Sequence, residues 1–165
     1  MKAPWVNILA HPSFGTLVSE SGSATTWSEN AQAFRLTPWS NDPVGDANTE
    51  AYYIRDEDTG RFWSLTLLPS GGVTPYVTRH GFGYSVFEHN ESGIVTELTV
   101  YVAIDAPVKF AALKLRNASG RARRLSVTPS AVRPCRRRDR NASVPPSFGA
   151  RQRRDRRAGA HVGGR

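Results

Sequence analysis

"GIVTELTVYVAID", Gly93–Asp105, decides how the rest of this 165-residue chain is read. Ile94, Thr96, Leu98, Val100, Val102 and Ile104 fall on one parity, and Glu97, Thr99 and Tyr101 on the other. Successive side chains leave a strand on opposite faces, so a period of two held over that length marks a half-buried antiparallel strand. The run before it, "GFGYSVFEH" (Gly81–His89), carries Phe82, Tyr84 and Val86 on one parity. It is the expected hairpin partner, with "NESG" (Asn90–Gly93) as the loop. Further out, "EAYYIR" and "RFWSLTLL" flank "DEDTG", where Gly60 suits the left-handed residue a short loop wants. "PWVNILA" and "FGTLVSE" flank "HPS"; "PVKFAALKLRN" and "RRLSVT" flank "ASGR" and read as a third hairpin. No window of a dozen residues carries helical periodicity. The expected fold class is all-β, an antiparallel β-sandwich.

The whole-chain charge of +8 suggests a polyanion partner, but it averages two unlike segments. Met1–Arg116 holds eight basic and twelve acidic residues, a net of −4; the rest holds fourteen basic and two acidic, a net of +12. The single cysteine, Cys135, allows no intrachain disulfide. The opening residues carry no secretory signal, and no apolar stretch approaches the roughly 20 residues that span a bilayer. A cytoplasmic location and no membrane segment are the expectations. His11, His80 and His89 lack metal-ligand spacing, and "LPSGGVTP" lacks the lysine and helix of a phosphate loop. Glu88 and Glu97 face each other across the expected hairpin and read as solvent-face charges. No metal and no cofactor are expected.

One segment does not read as simple strand. "SESGSATTWSENAQAFRLTPWSNDPVGDANTE" (Ser19–Glu50) is rich in Ser, Thr, Asn and Gly and carries Trp27, Asn30, Arg35, Trp39, Asn41 and Asp42. Long irregular loops in compact domains are usually functional. Indole faces cover the apolar C–H face of a pyranose while Asn, Asp and Arg satisfy its hydroxyls, so these six are candidate carbohydrate-binding residues. The alternative is that both tryptophans plug the sandwich edge and the polar groups cap turns.

"PWVNILAHPSFGTLVSESGSATTWSEN", "RLTPWSNDPVGD", "YYIRDEDTGRFWS" and the run from Tyr76 to Thr128 together resemble the N-terminal super-sandwich domain of glycoside hydrolase family 94. The likeness is to the phosphorylase-like region of cyclic β-1,2-glucan synthases, with cellobiose and chitobiose phosphorylases more distant. The resemblance implies a sandwich preceding an α/α-barrel whose aspartate protonates the glycosidic oxygen while phosphate attacks the anomeric carbon with inversion. None of that barrel is in this chain, so no catalytic residue is assigned. The implied partners are a β-glucan oligosaccharide and the barrel, and intact members are often homodimers. A departure is Asn30-Ala31-Gln32-Ala33-Phe34, where related sequences read Asn-Ser-Arg-Glu-Asn; this loses a charge pair and an amide.

The domain boundaries expected are 1–128 for a partial super-sandwich and 129–165 for a disordered, out-of-frame tail. Pro129–Arg165 has 11 Arg, 5 Ala, 4 Gly and 4 Pro among 37 residues, and no Lys, Leu, Ile, Tyr, Trp or Glu. Such a segment buries too little to fold. Its Arg-only, Ala/Gly/Pro-rich make-up matches GC-rich DNA read in a wrong frame, so no nucleic-acid partner is expected. The function expected is that of a truncated carbohydrate-binding sandwich from a glycan phosphorylase or cyclic glucan synthase, inactive without its barrel. Alternatives are a free-standing carbohydrate-binding module and a nucleic-acid binder acting through the tail.

Overall fold

The computed structural model describes residues 4–39 and 46–132. Ten strands form three antiparallel sheets and no helix is present among the described residues. Sheet A orders β1 (Val6–His11), β2 (Phe14–Ser19) and β3 (Ala24–Ser28). Sheet B orders β10 (Leu125–Ala131), β4 (Glu50–Asp56) and β5 (Phe62–Ser64). Sheet C orders β6 (Tyr76–Gly81), β7 (Tyr84–Glu91), β8 (Ile94–Val102) and β9 (Lys109–Asn117). One core joins the three: Leu9 and Val18 from sheet A, Ile54 and Trp63 from sheet B, and Phe87, Ile94, Leu98 and Val100 from sheet C. Strand β1 lies against β6, β7 and β8. The all-β sandwich reading holds.

The alternation of β8 holds from Ile94 to Val102, with Thr96 buried among the apolar residues. It stops there. Ile104 lies beyond the strand in a loop closed by the Ala103 amide on the Val108 carbonyl, and it is 94% exposed. For β7 the expected face is wrong by one residue. Ser85, Phe87, His89 and Glu91 point inward, not Tyr84 and Val86, while Phe82 sits at the β6–β7 turn in full solvent. The hairpin turn explains the phase. Ser92 and Gly93 have φ of 53° and 78°, so the link is a two-residue turn of type I′ character rather than the four-residue loop "NESG". That turn sets Glu91 opposite Ile94 and Phe87 opposite Leu98, and cross-strand partners share a face. Glu88 and Glu97 pair on the outer face as expected, each answered by a cation, Arg79 and Lys114.

Two connections differ from the sequence reading. The segment "ATTWS" is strand β3, paired with β2, so the long loop begins only after Ser28. The third hairpin does not form: β9 pairs with β8, and β10 crosses to pair with β4, Leu125 opposite Asp56 and Ala131 opposite Glu50. Buried charge directs the crossing. Asp56 is fully buried, and Arg123 in the connection reaches its carboxylate; Arg124 pairs with Asp58 at 2.8 Å and its carbonyl accepts from the Glu57 amide. Burial alone would raise the Asp56 carboxyl. Hydrogen bonds from Thr59 and the Asp58 amide, and then the Arg123 guanidinium, outweigh it and hold the group below the usual carboxylate range. Strand β10 also runs to Ala131, past the boundary expected at Thr128, with Pro129 tolerated because β10 is an edge strand. The remainder of the Arg-rich segment lies outside the described residues.

A polar cluster ties the sheets together. Lys109 of β9 donates to Glu50 of β4 at 2.7 Å, with both side chains only 10% exposed. Lys109 also donates to Thr16 of β2 at 3.1 Å, Thr16 and Thr26 share a hydrogen bond at 3.1 Å, and Thr26 of β3 donates to Glu50. An ammonium only donates and a carboxylate only accepts. The ends therefore orient the middle, Lys109 to Thr16 to Thr26 to Glu50.

Candidate carbohydrate-contact site

Strand β3 carries Trp27 opposite Gly15 of β2. The indole lies so close over Gly15 that a Cβ there would fall 2.4 Å from its Cζ2. Glycine at 15 is thus what lets the half-buried ring lie down on the sheet. After β3 the chain turns back on itself: the Ser28 amide donates to the Phe34 carbonyl, the Leu36 amide to the Thr26 carbonyl, and Trp27 bridges Arg35. Asn30 closes the tip, its Oδ1 accepting from the Gln32 and Ala33 amides at 2.8 and 2.9 Å. This is an Asx-type cap. Arg35 Nε donates to the Ala31 carbonyl at 3.0 Å. The departure at Ala31–Phe34 thus leaves the turn intact, because Asn30 closes it through backbone amides and Ala31, Gln32 and Ala33 are exposed.

The structure brings Trp27, Asn30 and Arg35 into one folded loop. Trp39 follows Pro38, whose carbonyl accepts from Thr25 Oγ1 at 3.4 Å, and its indole is 43% exposed. Asn41 and Asp42 lie outside the described residues. The loop stands on the polar cluster: Thr37 Oγ1 accepts from the Thr26 amide at 2.8 Å, beside Glu50. Burial, and after it the Glu50 carboxylate, push the neighbouring Tyr52 phenol well above its ordinary value. The returning limb is laced to sheet A by hydroxyls, Ser19 and Ser21 to Asp46, Ser23 to the Ala47 carbonyl, and Thr49 to the Ala24 carbonyl.

Sequence reasoning passed over the charged residues behind this surface. Lys109 is in phase with Leu113 and Leu115; Glu50 is in phase with Ile54; His89 and Glu91 are in phase with Phe87. A charge in the apolar phase of a strand signals a buried pair, and that signal was present. Glu91 accepts from the Val73 amide and from Arg61, both at 3.0 Å, and His89 stacks on Tyr76 with centroids 3.6 Å apart. Burial would raise the Glu91 carboxyl, but those partners outweigh it and lower it. The buried carboxylates Glu50, Asp56 and Glu91 are each held by a cation, Lys109, Arg123 and Arg61. Among the described residues no three His, Cys, Asp or Glu side chains converge as metal ligands.

A family model described as "Glycosyl hydrolase 94, supersandwich domain" matches residues 1–150, running on past Thr128. The chain belongs to that family. It is 36% identical over 129 residues to a cyclic beta-(1,2)-glucan synthase of Rhizobium meliloti, covering 75% of this chain and 4% of the relative. It is 28% identical over 127 residues to an N,N'-diacetylchitobiose phosphorylase of Vibrio furnissii, covering 75% of this chain and 16% of the relative. A solabiose phosphorylase of Paenibacillus borealis is 35% identical over 77 residues, 46% of this chain and 10% of that protein. The chain therefore spans a small part of each of these family 94 relatives. No helix among its described residues is long and apolar enough to cross a membrane.

Proposed function

We propose that this supersandwich acts as the carbohydrate-contacting, non-catalytic part of a glycan phosphorylase or cyclic β-1,2-glucan synthase type of enzyme, and that alone it turns over no substrate. The observation that carries the reading is the family match, joined to relatives whose names describe synthesis of a glucan or phosphorolysis of a disaccharide. The partners proposed are a β-glucan oligosaccharide and an α/α-barrel supplying the acid and the phosphate site, in a cytoplasmic, homodimeric enzyme. The sugar contact is assigned to Trp27 and Trp39 by stacking, with Asn30, Arg35, Asn41 and Asp42 bonding to hydroxyls. Contacts of this kind, away from the reacting bond, give about millimolar affinity, or roughly −4 kcal/mol. An NMR titration of the chain with β-1,2-glucan oligomers tests the site. Saturable shifts of the Trp27 or Trp39 indole signals, lost in Trp27→Ala or Trp39→Ala, are expected. Flat indole signals to tens of millimolar would show that the loop never meets sugar. A parallel incubation with oligosaccharide and inorganic phosphate is expected to release no sugar phosphate; release that co-purifies with the chain would overturn the assignment of catalysis elsewhere.

A further inference from the structure

The outer face of sheet B holds a second surface of this chemistry, in a shallow cleft that shares no residue with the Trp27–Trp39 loop. Its floor follows from the register. Ser126, Arg55 and Phe62 form one row across β10, β4 and β5, and Thr128 and Tyr53 begin the next. Tyr53 and Phe62 are diagonal neighbours, about 7–8 Å apart in such ladders, so two aromatic rings share one patch. Phe62 is 61% exposed, although it lies within a strand and not at a loop tip. One wall is the segment after β5, which folds back so that the Ser64 amide donates to the Ser70 carbonyl and the Ser70 amide to Ser64 Oγ, at 2.7 and 3.2 Å.

The polar lining has a definite charge character. Arg55 Nε stands 3.6 Å from Glu57 Oε2, and both side chains stay open to solvent, at 60% and 40% exposure. Ser126 Oγ donates to the other Glu57 oxygen at 2.5 Å. The pair sums to zero, which disfavours an anionic ligand such as a phosphate or a uronate. It presents a fork of donors beside a strong acceptor, with the Ser70 and Thr128 side chains alongside. Apolar ring faces next to a charge-neutral array of donors, acceptors and hydroxyls complement a molecule with one C–H face and many hydroxyls. We propose that the Tyr53–Phe62 cleft binds a neutral oligosaccharide, as a second sugar contact independent of the Trp27–Trp39 loop.

The test is an NMR titration of the full chain with a β-linked gluco-tetraose, reading the Tyr53, Phe62 and Thr128 amides and the Arg55 Nε–H. Saturable shifts are expected at about millimolar ligand, weakened about tenfold in Phe62→Ala and in Arg55→Ala and unchanged in Trp27→Ala. Both altered side chains are solvent-exposed, so an unchanged thermal melt verifies that the variants stay folded. Silence at these four signals to about 50 mM ligand, or shifts indifferent to both substitutions, would overturn the cleft. Shifts confined to the indoles and lost in Trp27→Ala would overturn it while leaving the loop site standing. Shifts at the cleft with silent indoles would support it and remove the loop site instead. Equal shifts with a uronic-acid tetramer would overturn the neutral-ligand assignment.

Discussion

Replacing Lys109 by Met keeps the aliphatic stem and deletes the ammonium at the centre of the cluster that joins the three sheets. The Glu50 carboxylate would then stay nine-tenths buried with only threonine donors. Removing one partner of a buried pair typically costs 3–5 kcal/mol, and the hydrogen bond retained from Thr26 argues for the lower end, about 3 kcal/mol. For a domain of this size that lowers Tm by roughly 10 °C. The double variant Glu50→Gln/Lys109→Met removes the stranded charge, since an amide can still accept from Thr26. Its cost should fall to about 1 kcal/mol, well below the sum of the Lys109→Met and Glu50→Gln single variants, each of which strands a buried charge; that shortfall is the coupling between the two groups. Urea unfolding followed by tryptophan fluorescence measures all three variants against the parent. A Lys109→Met loss below about 0.5 kcal/mol, with the double variant simply additive, would mean that water reaches the pair and that the cluster does not clamp the sheets.

Other expectations are as direct. The Asp56, Asp58 and Glu91 carboxyls are depressed in the folded state, so their contribution is complete above about pH 4, the ordinary carboxylate value, and is lost as pH falls through their folded values. The urea midpoint should decline below about pH 4, and less steeply in Glu91→Gln; a midpoint that rises on acidification contradicts the sign. Gly15→Ala sets a methyl 2.4 Å from the Trp27 ring, which must swing off the sheet at a cost of about 1–3 kcal/mol, with red-shifted indole emission. The inward parities of β9 and β10 are open, Leu115 at 41% and Val127 at 44% exposure, beside strand edges that have no partner among the described residues. Sedimentation should show association that Val127→Lys reduces; a monodisperse monomer over a wide concentration range would refute it.

The strands were legible because alternation and turn residues are local, and Gly93, Gly60 and the "HPS" turn advertised their hairpins. The β7 face was not, because its phase depends on whether the turn holds two residues or four, and Ser92 at positive φ is not a residue that composition flags. The β9–β10 hairpin misled for a different reason. The partner of β10 is chosen by the buried Asp56 acting on Arg123, a contact between residues far apart in the chain. Of the candidate site, Trp27 and Asn30 were legible as residue types but not in their roles. The seat for the indole is Gly15, and the Asn30 Oδ1 accepts from backbone amides of the turn. Tyr53 and Phe62 read as ordinary strand residues until register placed them side by side.

The crossing of β10 also imposes an order of assembly. Strands β6 to β9 form sheet C from neighbours in sequence, whereas Leu125 meets Asp56 and Ala131 meets Glu50 across gaps of about seventy to eighty residues. Pairings that close long loops contribute late, since the loop entropy is lost before the contact forms. Strand β4 is therefore synthesised long before its β10 neighbour and must keep an open edge and a charged Asp56 in water meanwhile. On a ribosome releasing about 5–20 residues per second, that interval lasts seconds. Sheet B is where a nascent copy of this chain is most exposed to capture by another.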